Sequence, residues 1–424
     1  MDVALTILFL GFLIFLGNIL NRLFNLTKVP DLLFLIGIGL LIGPVLGFAT
    51  PASFGIVGPI FTTVTLAIIL FECGLHLRVD SIRSSFRGTI TLTLASFVVT
   101  MLLAAGVLYY GGFLGFLPAL MLGAIIGGAS PAVVIPMIDF LHLQKDSGAI
   151  LALESAIEDV LCIVILLTIL DVYQMGTVDL RIAAGRLIAS LLMAVILGVL
   201  GGVFWSAIYH RLGNIKSIFL TPAFLFIIYG IVDMLGYSGA IAALAFGITL
   251  GNLDSFKISS VFPCAQDISQ VELNPTETIF LSQLVQLLKT FFFIYIGLSI
   301  KFTNTESFII GGAIVLALFV IRIILVYFSI SRKISVWDAS VMAIMIPKGL
   351  AAAALAAIPL QAGVAGGLFI ETTTYAVILF SIMICSVFVI LLERTPVRRI
   401  YAVVFKKFGM AGRSAAQPVP DSPV

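Results

Sequence analysis

Charge is scarce in this chain: 10% of its 424 residues are Asp, Glu, Lys or Arg, against 61% hydrophobic. A soluble domain of this length carries roughly a quarter charged residues, so a water-soluble globule is excluded and a polytopic membrane protein is expected. Cysteine is rare too. Cys73, Cys162, Cys264 and Cys385 form no Cys-x-x-Cys pair, which argues against a disulfide framework or a thiolate metal site. The three histidines, His76, His142 and His210, share no helical spacing, so a histidine metal site has no support. No Ser/His dyad, paired-Asp protease motif or His-Glu-x-x-His is present, so no enzyme and no cofactor are expected. Basic stripes interleaved with aromatics are also lacking, and nucleic acid is not an expected partner.

What the chain has is long apolar runs. Gly, Pro and charge divide them into about thirteen spans, near 3–24, 31–49, 53–75, 88–110, 114–140, 148–171, 184–209, 217–234, 239–252, 277–300, 307–330, 337–360 and 372–393. The first is too long for a signal-peptide core and has no basic leader, so it is read as retained. Seventeen Lys and Arg residues fall on one side of the membrane and three (Arg181, Arg186 and Lys301) on the other. By the positive-inside rule the N-terminus is expected outside and the C-terminus in the cytoplasm. An odd number of spans fits that placement. The tail, 394–424, is basic and expected to be partly disordered. No soluble nucleotide-binding regulatory segment is expected.

The chemistry concentrates in the sixth span, where Glu154-Ser155-Ala156-Ile157-Glu158-Asp159 interrupts an apolar run. A carboxylate at the bilayer centre costs ~2.5–3.5 kcal/mol, against ~0.3–0.6 gained per Leu or Ile. Three of them nearly cancel the drive to insert, so they must face a polar cavity or basic partners. On a helix, residues four apart share a face. Ser155 therefore projects with Asp159, offering a hydroxyl beside a carboxylate, a donor pair suited to a partly dehydrated alkali cation or a proton. Glu154 and Glu158 stack about 100° away. Arg322 in the eleventh span and Lys348 in the twelfth are the available counter-charges. Glu154 is read as an ion-pair partner and Asp159 as the functional acid. Glu158 stays open between the two roles.

Two spans carry helix-breaking signals. Gly127-Gly128-Ala129-Ser130-Pro131 interrupts the fifth and Pro347-Lys348-Gly349 the twelfth. Paired breaks in corresponding halves point to a midplane binding site lined by freed carbonyls and half-helix ends. A Gly-Leu-x-Leu/Ile motif also recurs, as Gly74-Leu75-His76-Leu77 and Gly297-Leu298-Ser299-Ile300. Its copies lie seven spans apart, and an odd offset inverts the second copy. Glu72, just before the first motif, is either a solvated interfacial residue or a peripheral pathway ligand. Lys289 is read as snorkelling from a helix end, Asp233 as interfacial, and Asp171, Asp179, Glu306 and Glu371 as loop acids.

These residues, in this order, resemble the cation:proton antiporters, particularly the sodium/proton exchanger branch. The likeness rests on Val29-Pro30-Asp31 with Gly37 and Gly43-Pro44, on Phe71-Glu72-Cys73-Gly74-Leu75, and on Glu154-Ser155 with Asp159. It continues through Leu235-Gly236-Tyr237-Ser238-Gly239, Phe292 to Leu298, Arg322 with Val326-Tyr327, and Lys348-Gly349. The resemblance implies an all-α membrane fold of two inverted six-helix repeats with discontinuous, crossed helices, and a homodimer. Core helices would span about 53–171 and 277–393, and scaffold helices about 3–49 and 184–252. It further implies that Asp159 takes the cation or proton, assisted by Ser155 and main-chain oxygens near Ala129 and Ser130, and that Glu154 pairs with Arg322.

The chain departs from that branch in three places. Glu158 stands where many exchangers have Asn, Ala129-Ser130-Pro131 stands for Thr-Asp-Pro, and Lys348 commonly stands as Arg. Glu158 is expected to restore the charge missing at Ser130 or to pair with Lys348. The expected function is exchange of Na+ or K+ for H+ by alternating access across the cell membrane. A K+/H+ efflux-type antiporter is the alternative, and a cation channel the more distant one.

Overall fold

The computed structural model describes residues 31–54, 57–76, 79–175, 180–211, 218–253, 275–300 and 305–409, with isolated positions 11, 12, 15 and 19. Most of the first expected span and the loop 254–274 lie outside them, as does 410–424. Without water to bond exposed amides, an apolar run must satisfy its backbone internally, which selects helices. The first half of the chain forms α1 (Asp31–Leu40, continued by a wider turn over Leu41–Val45), α2 (Val57–His76), α3 (Val79–Tyr110), α4 (Phe116–Ile125), α5 (Pro131–Phe140) and α6 (Lys145–Met175). Then come α7 (Leu180–Arg211), α8 (Leu220–Met234), α9 (Gly239–Gly251), α10 (Pro275–Ser299) and α11 (Thr305–Ser329). The chain continues through α12 (Val336–Ile344), α13 (Leu350–Ala356), α14 (Ile358–Gln361), α15 (Gly367–Arg394) and α16 (Val397–Val404).

Among the described residues, stretches of α3, α7, α10, α11 and α15 are long and apolar enough to cross a membrane. Their outward faces stay apolar, as Phe204 on α7 and Phe328 on α11 illustrate, which suits contact with lipid tails. The division expected near residue 236 is present. Gly236 adopts φ 80°, a left-handed turn that closes α8 without the strain a side chain would bring. Ser238 then caps α9 by accepting from the Ile241 N–H at 3.3 Å.

Both expected breaks occur. The fifth span parts into α4 and α5, with Pro131 at the first position of the second half, where its missing N–H costs nothing. The twelfth parts into α12 and α13 around Pro347-Lys348-Gly349. The two breaks abut: the Ser130 N–H donates to the Pro347 carbonyl at 2.7 Å. A Cβ on Gly349 would run into the Ser130 side chain, so this approach requires glycine. α6 packs against α3, α4, α5 and α13 and so runs past the crossing.

The repeated Gly-Leu glycines do equivalent work. Gly74 on α2 lies against the Leu244 carbonyl of α9, where a Cβ would come within 2.5 Å, and Gly297 on α10 lies against the Ile36 carbonyl of α1. Each lets two helix backbones touch.

Three acids expected in loops are helical: Asp171 lies inside α6, Glu306 in the first turn of α11 and Glu371 in α15. Gly366, at φ 80°, starts α15 before the expected span 372–393, so Glu371 lies within that helix. The first part of the tail, ahead of the stretch after Met410 expected to be disordered, is folded. Tyr401, Phe405 and Phe408 are buried, and the rings of Phe405 and Phe408 lie 6.4 and 5.9 Å from Tyr327. α16 thus turns Tyr401 toward the bundle and leaves Arg399 exposed near its start.

Candidate functional site

The acidic face of α6 meets the crossing of the broken helices. Glu154 is 1% exposed and grips Arg322 of α11 through both carboxylate oxygens, Nη2 to Oε2 at 2.7 Å and Nη1 to Oε1. Four of the five guanidinium N–H groups are engaged: Nε donates to the Met342 carbonyl at 3.1 Å, and Nη1 also donates to Ser96 Oγ at 3.0 Å. One pair thereby ties α3, α6, α11 and α12 together. A bidentate Arg–carboxylate pair with further hydrogen bonds to the guanidinium is the arrangement that makes buried charge tolerable.

One turn on, Glu158 (1% exposed) uses one oxygen, Oε2, to accept from the Ala129 N–H at 2.8 Å. Its other oxygen, Oε1, is buried without a hydrogen-bond partner, as is Ser130 Oγ. Cys162, four residues after Glu158 and on the same face, accepts from the Gly128 N–H at 3.1 Å. Two successive amides freed by the break are therefore held by two successive side chains of α6. Lys348 (2% exposed) donates from Nζ to the Gly127 carbonyl at 3.3 Å, and its own N–H is taken by Ser381 Oγ at 2.9 Å. Lys348 lies within electrostatic reach of both Glu158 and Asp159. Among the described residues it forms no contact ion pair with Glu158, whose charge is met by a backbone amide instead.

Asp159 is 4% exposed and takes part in none of these bonds. Ser155, on the same face one turn before it, is fully buried and donates to the Ala152 carbonyl at 3.0 Å, which leaves its oxygen lone pairs facing outward from that bond. α6 thus carries three acids in graded states: Glu154 closed by arginine, Glu158 half engaged, and Asp159 without a hydrogen bond or ion pair among the described residues. Glu72 is half-buried on α2 and engaged in contacts of its own. Among the described residues no cluster of three His, Cys, Asp or Glu has the form of a resident metal site.

Sequence reasoning singled out the acids, the two breaks and both counter-charges. It missed Ser96, Ser381 and Cys162. For Cys162 a signal existed: four residues after Glu158, it had to share that residue's face.

The description "Sodium/hydrogen exchanger, transmembrane" fits residues 11–394. The chain is 26% identical over 381 residues to Na(+)/H(+) antiporter 1 of Methanocaldococcus jannaschii, covering 84% of this chain and 83% of that protein. It is 25% identical over 197 residues to the K(+)/H(+) antiporter NhaP2 of Shewanella sp. (strain MR-4), covering 45% of this chain and 34% of the other. The solved structure of the sodium proton antiporter MjNhaP1 from M. jannaschii at pH 8 superposes with a TM-score of 0.74 at 22% identity, over 96% of this chain and 100% of that one. The chain belongs to the transmembrane sodium/hydrogen exchanger family.

Proposed function

We propose that the chain exchanges a monovalent cation, Na+ or K+, for protons by alternating access, with Asp159 as the seat both ions take in turn. The observation that carries this reading is the isolation of Asp159. It is a buried carboxylate near two abutting helix breaks, and among the described residues no cationic side chain is bonded to it. Such a group is stable only when a proton or a cation shares it. Ser155, Glu158, Ser130 and the main chain near Ala129 would complete the shell around a cation, with Glu72 a more distant contributor. Arg322 and Glu154 would hold the bundle together, and Lys348 would balance Glu158 at a distance.

The reciprocal glycine contacts of α2 with α9 and of α10 with α1, together with the paired breaks, support two inverted six-helix repeats. The functional unit would be a homodimer in the cell membrane, with the N-terminus outside and the tail in the cytoplasm. Exchange would be electroneutral if Glu158 stays charged throughout the cycle. Relatives named for Na+ and for K+ are similarly distant, so both ions are proposed substrates.

Proteoliposomes loaded with Na+, K+ or Li+ at several pH values test the proposal. An outward cation gradient should drive proton uptake, and the apparent KM for the cation should rise as pH falls, because protons then occupy the shared seat. Downhill cation flux without proton movement would point to a channel instead.

A further inference from the structure

After Arg394 the chain leaves α15 and, past Thr395 and Pro396, starts α16 at Val397. At ~3.6 Å per residue at most, that start lies within about 11 Å of the end of a membrane-spanning helix. The rings of Phe405 and Phe408 then pack on Tyr327, in the last turn of α11. Just beyond them the Gly409 N–H donates to the Arg332 carbonyl at 3.0 Å. α16 is thus folded down across the ends of α11 and α15, which sets it at the depth of a headgroup layer roughly 5–8 Å thick.

That placement leaves one strip of α16 uncovered. Residues three and four apart share a helix face, so Ile400, Val403 and Val404 lie together. They are 64%, 73% and 41% exposed, whereas Tyr401 faces inward. Aliphatic side chains standing this open are costly in water and suited to the boundary between headgroups and acyl chains. The edges of the strip are basic. Arg399, Lys406 and Lys407 are exposed on α16 and the turn after it, and the Gly409 bond brings exposed Arg332 and Lys333 alongside. No acid occurs between Val397 and Gly409 or between Ser331 and Trp337. Among the described residues none of these five side chains forms an ion pair. A basic set that no acid of the protein answers complements anionic headgroups.

We propose that α16 and the α11–α12 turn form a docking surface for anionic phospholipids of the leaflet in which α15 ends. Ile400, Val403 and Val404 sit among the first acyl carbons, and the five basic side chains meet the phosphates. The surface is separate from the helix crossing near Asp159 and stands whether or not the antiport reading does. Its hold on the membrane depends on lipid charge and weakens with salt.

Hydrogen–deuterium exchange of the full chain in nanodiscs tests it, comparing phosphatidylcholine alone with phosphatidylcholine and phosphatidylglycerol in equal parts. Amides of 397–409 should exchange about tenfold more slowly in the anionic discs. Lys406→Gln combined with Lys407→Gln should remove most of that difference. Val403→Ser should speed exchange in both discs; no change there would contradict seating at the acyl boundary. Soluble glycerol phosphate added to phosphatidylcholine discs should leave exchange as it was. Equal exchange in the two membranes would overturn the proposal, pointing to water or a second copy of the chain as what meets the strip. Slowing by glycerol phosphate alone would overturn it in favour of a free-phosphate site.

Discussion

Glu154 and Asp159 sit little more than one turn apart on α6, both buried, and their surroundings could hardly differ more. Glu154 faces a guanidinium that is itself bonded to Met342 and Ser96, so its charge is cancelled by a fixed partner. Asp159 faces the crossing of two broken helices and is bonded to none of the site's donors. A low-dielectric interior demands that each negative charge be neutralised. At Glu154 the protein supplies the cation permanently; at Asp159, on the function proposed above, it leaves that role to an ion from solution. On that proposal the same residue chemistry yields a tie in one place and a transport site in the next.

The contrast breaks most sharply under substitution. Asp159→Asn should reduce cation-driven proton flux to background while leaving thermal stability near that of the parent. Loss of folding without this selective loss of flux would erase the distinction. Arg322→Ala should do the reverse. It strands a buried carboxylate, costs about 3–5 kcal/mol, and should appear as a marked drop in thermal stability in detergent; an unchanged melting temperature would contradict the tie.

Gly247→Val asks whether the scaffold depends on backbone contact. Its Cβ would strike the Phe71 carbonyl of α2, and overpacking of this kind costs about 1–3 kcal/mol, measurable by thermal denaturation. The smallest effect is expected at Glu158→Gln, which keeps an acceptor for the Ala129 N–H but removes charge. Cation affinity should fall about tenfold, or ~1.4 kcal/mol. Current on a solid-supported membrane at symmetric pH, present in the parent and lost in this variant, would make Glu158 a second proton carrier rather than a fixed charge.

Much of this arrangement was legible in the sequence, for physical reasons that can be named. Apolar runs delimit helices because lipid leaves the backbone no other partner. Pro131 and Pro347 mark breaks because proline cannot donate, and the acids of α6 stand out because burying them is costly. Contacts between distant segments were not legible. Neither the capture of the Gly128 amide by Cys162 nor the third partner of Arg322, Ser96, follows from local spacing on one strand of sequence alone. Lys348 illustrates the limit. Opposite charge made Glu158 its natural partner, yet the break leaves an unbonded carbonyl at Gly127 and an unbonded amide at Ala129. Those backbone groups take the two side chains first. Glu371 is misread because, as a charge, it marks the end of a loop, with the span starting at 372; the helix begins at the left-handed Gly366 and already includes the apolar Leu368, Phe369 and Ile370.

The central claim is that one carboxylate is shared by cation and proton. Adding Na+ or K+ to the purified protein in weakly buffered detergent solution, with released protons followed by a pH indicator, tests it directly. Cation binding should expel protons in the parent and none in Asp159→Asn. Cation binding with no proton release, or equal release from the variant, would contradict the account.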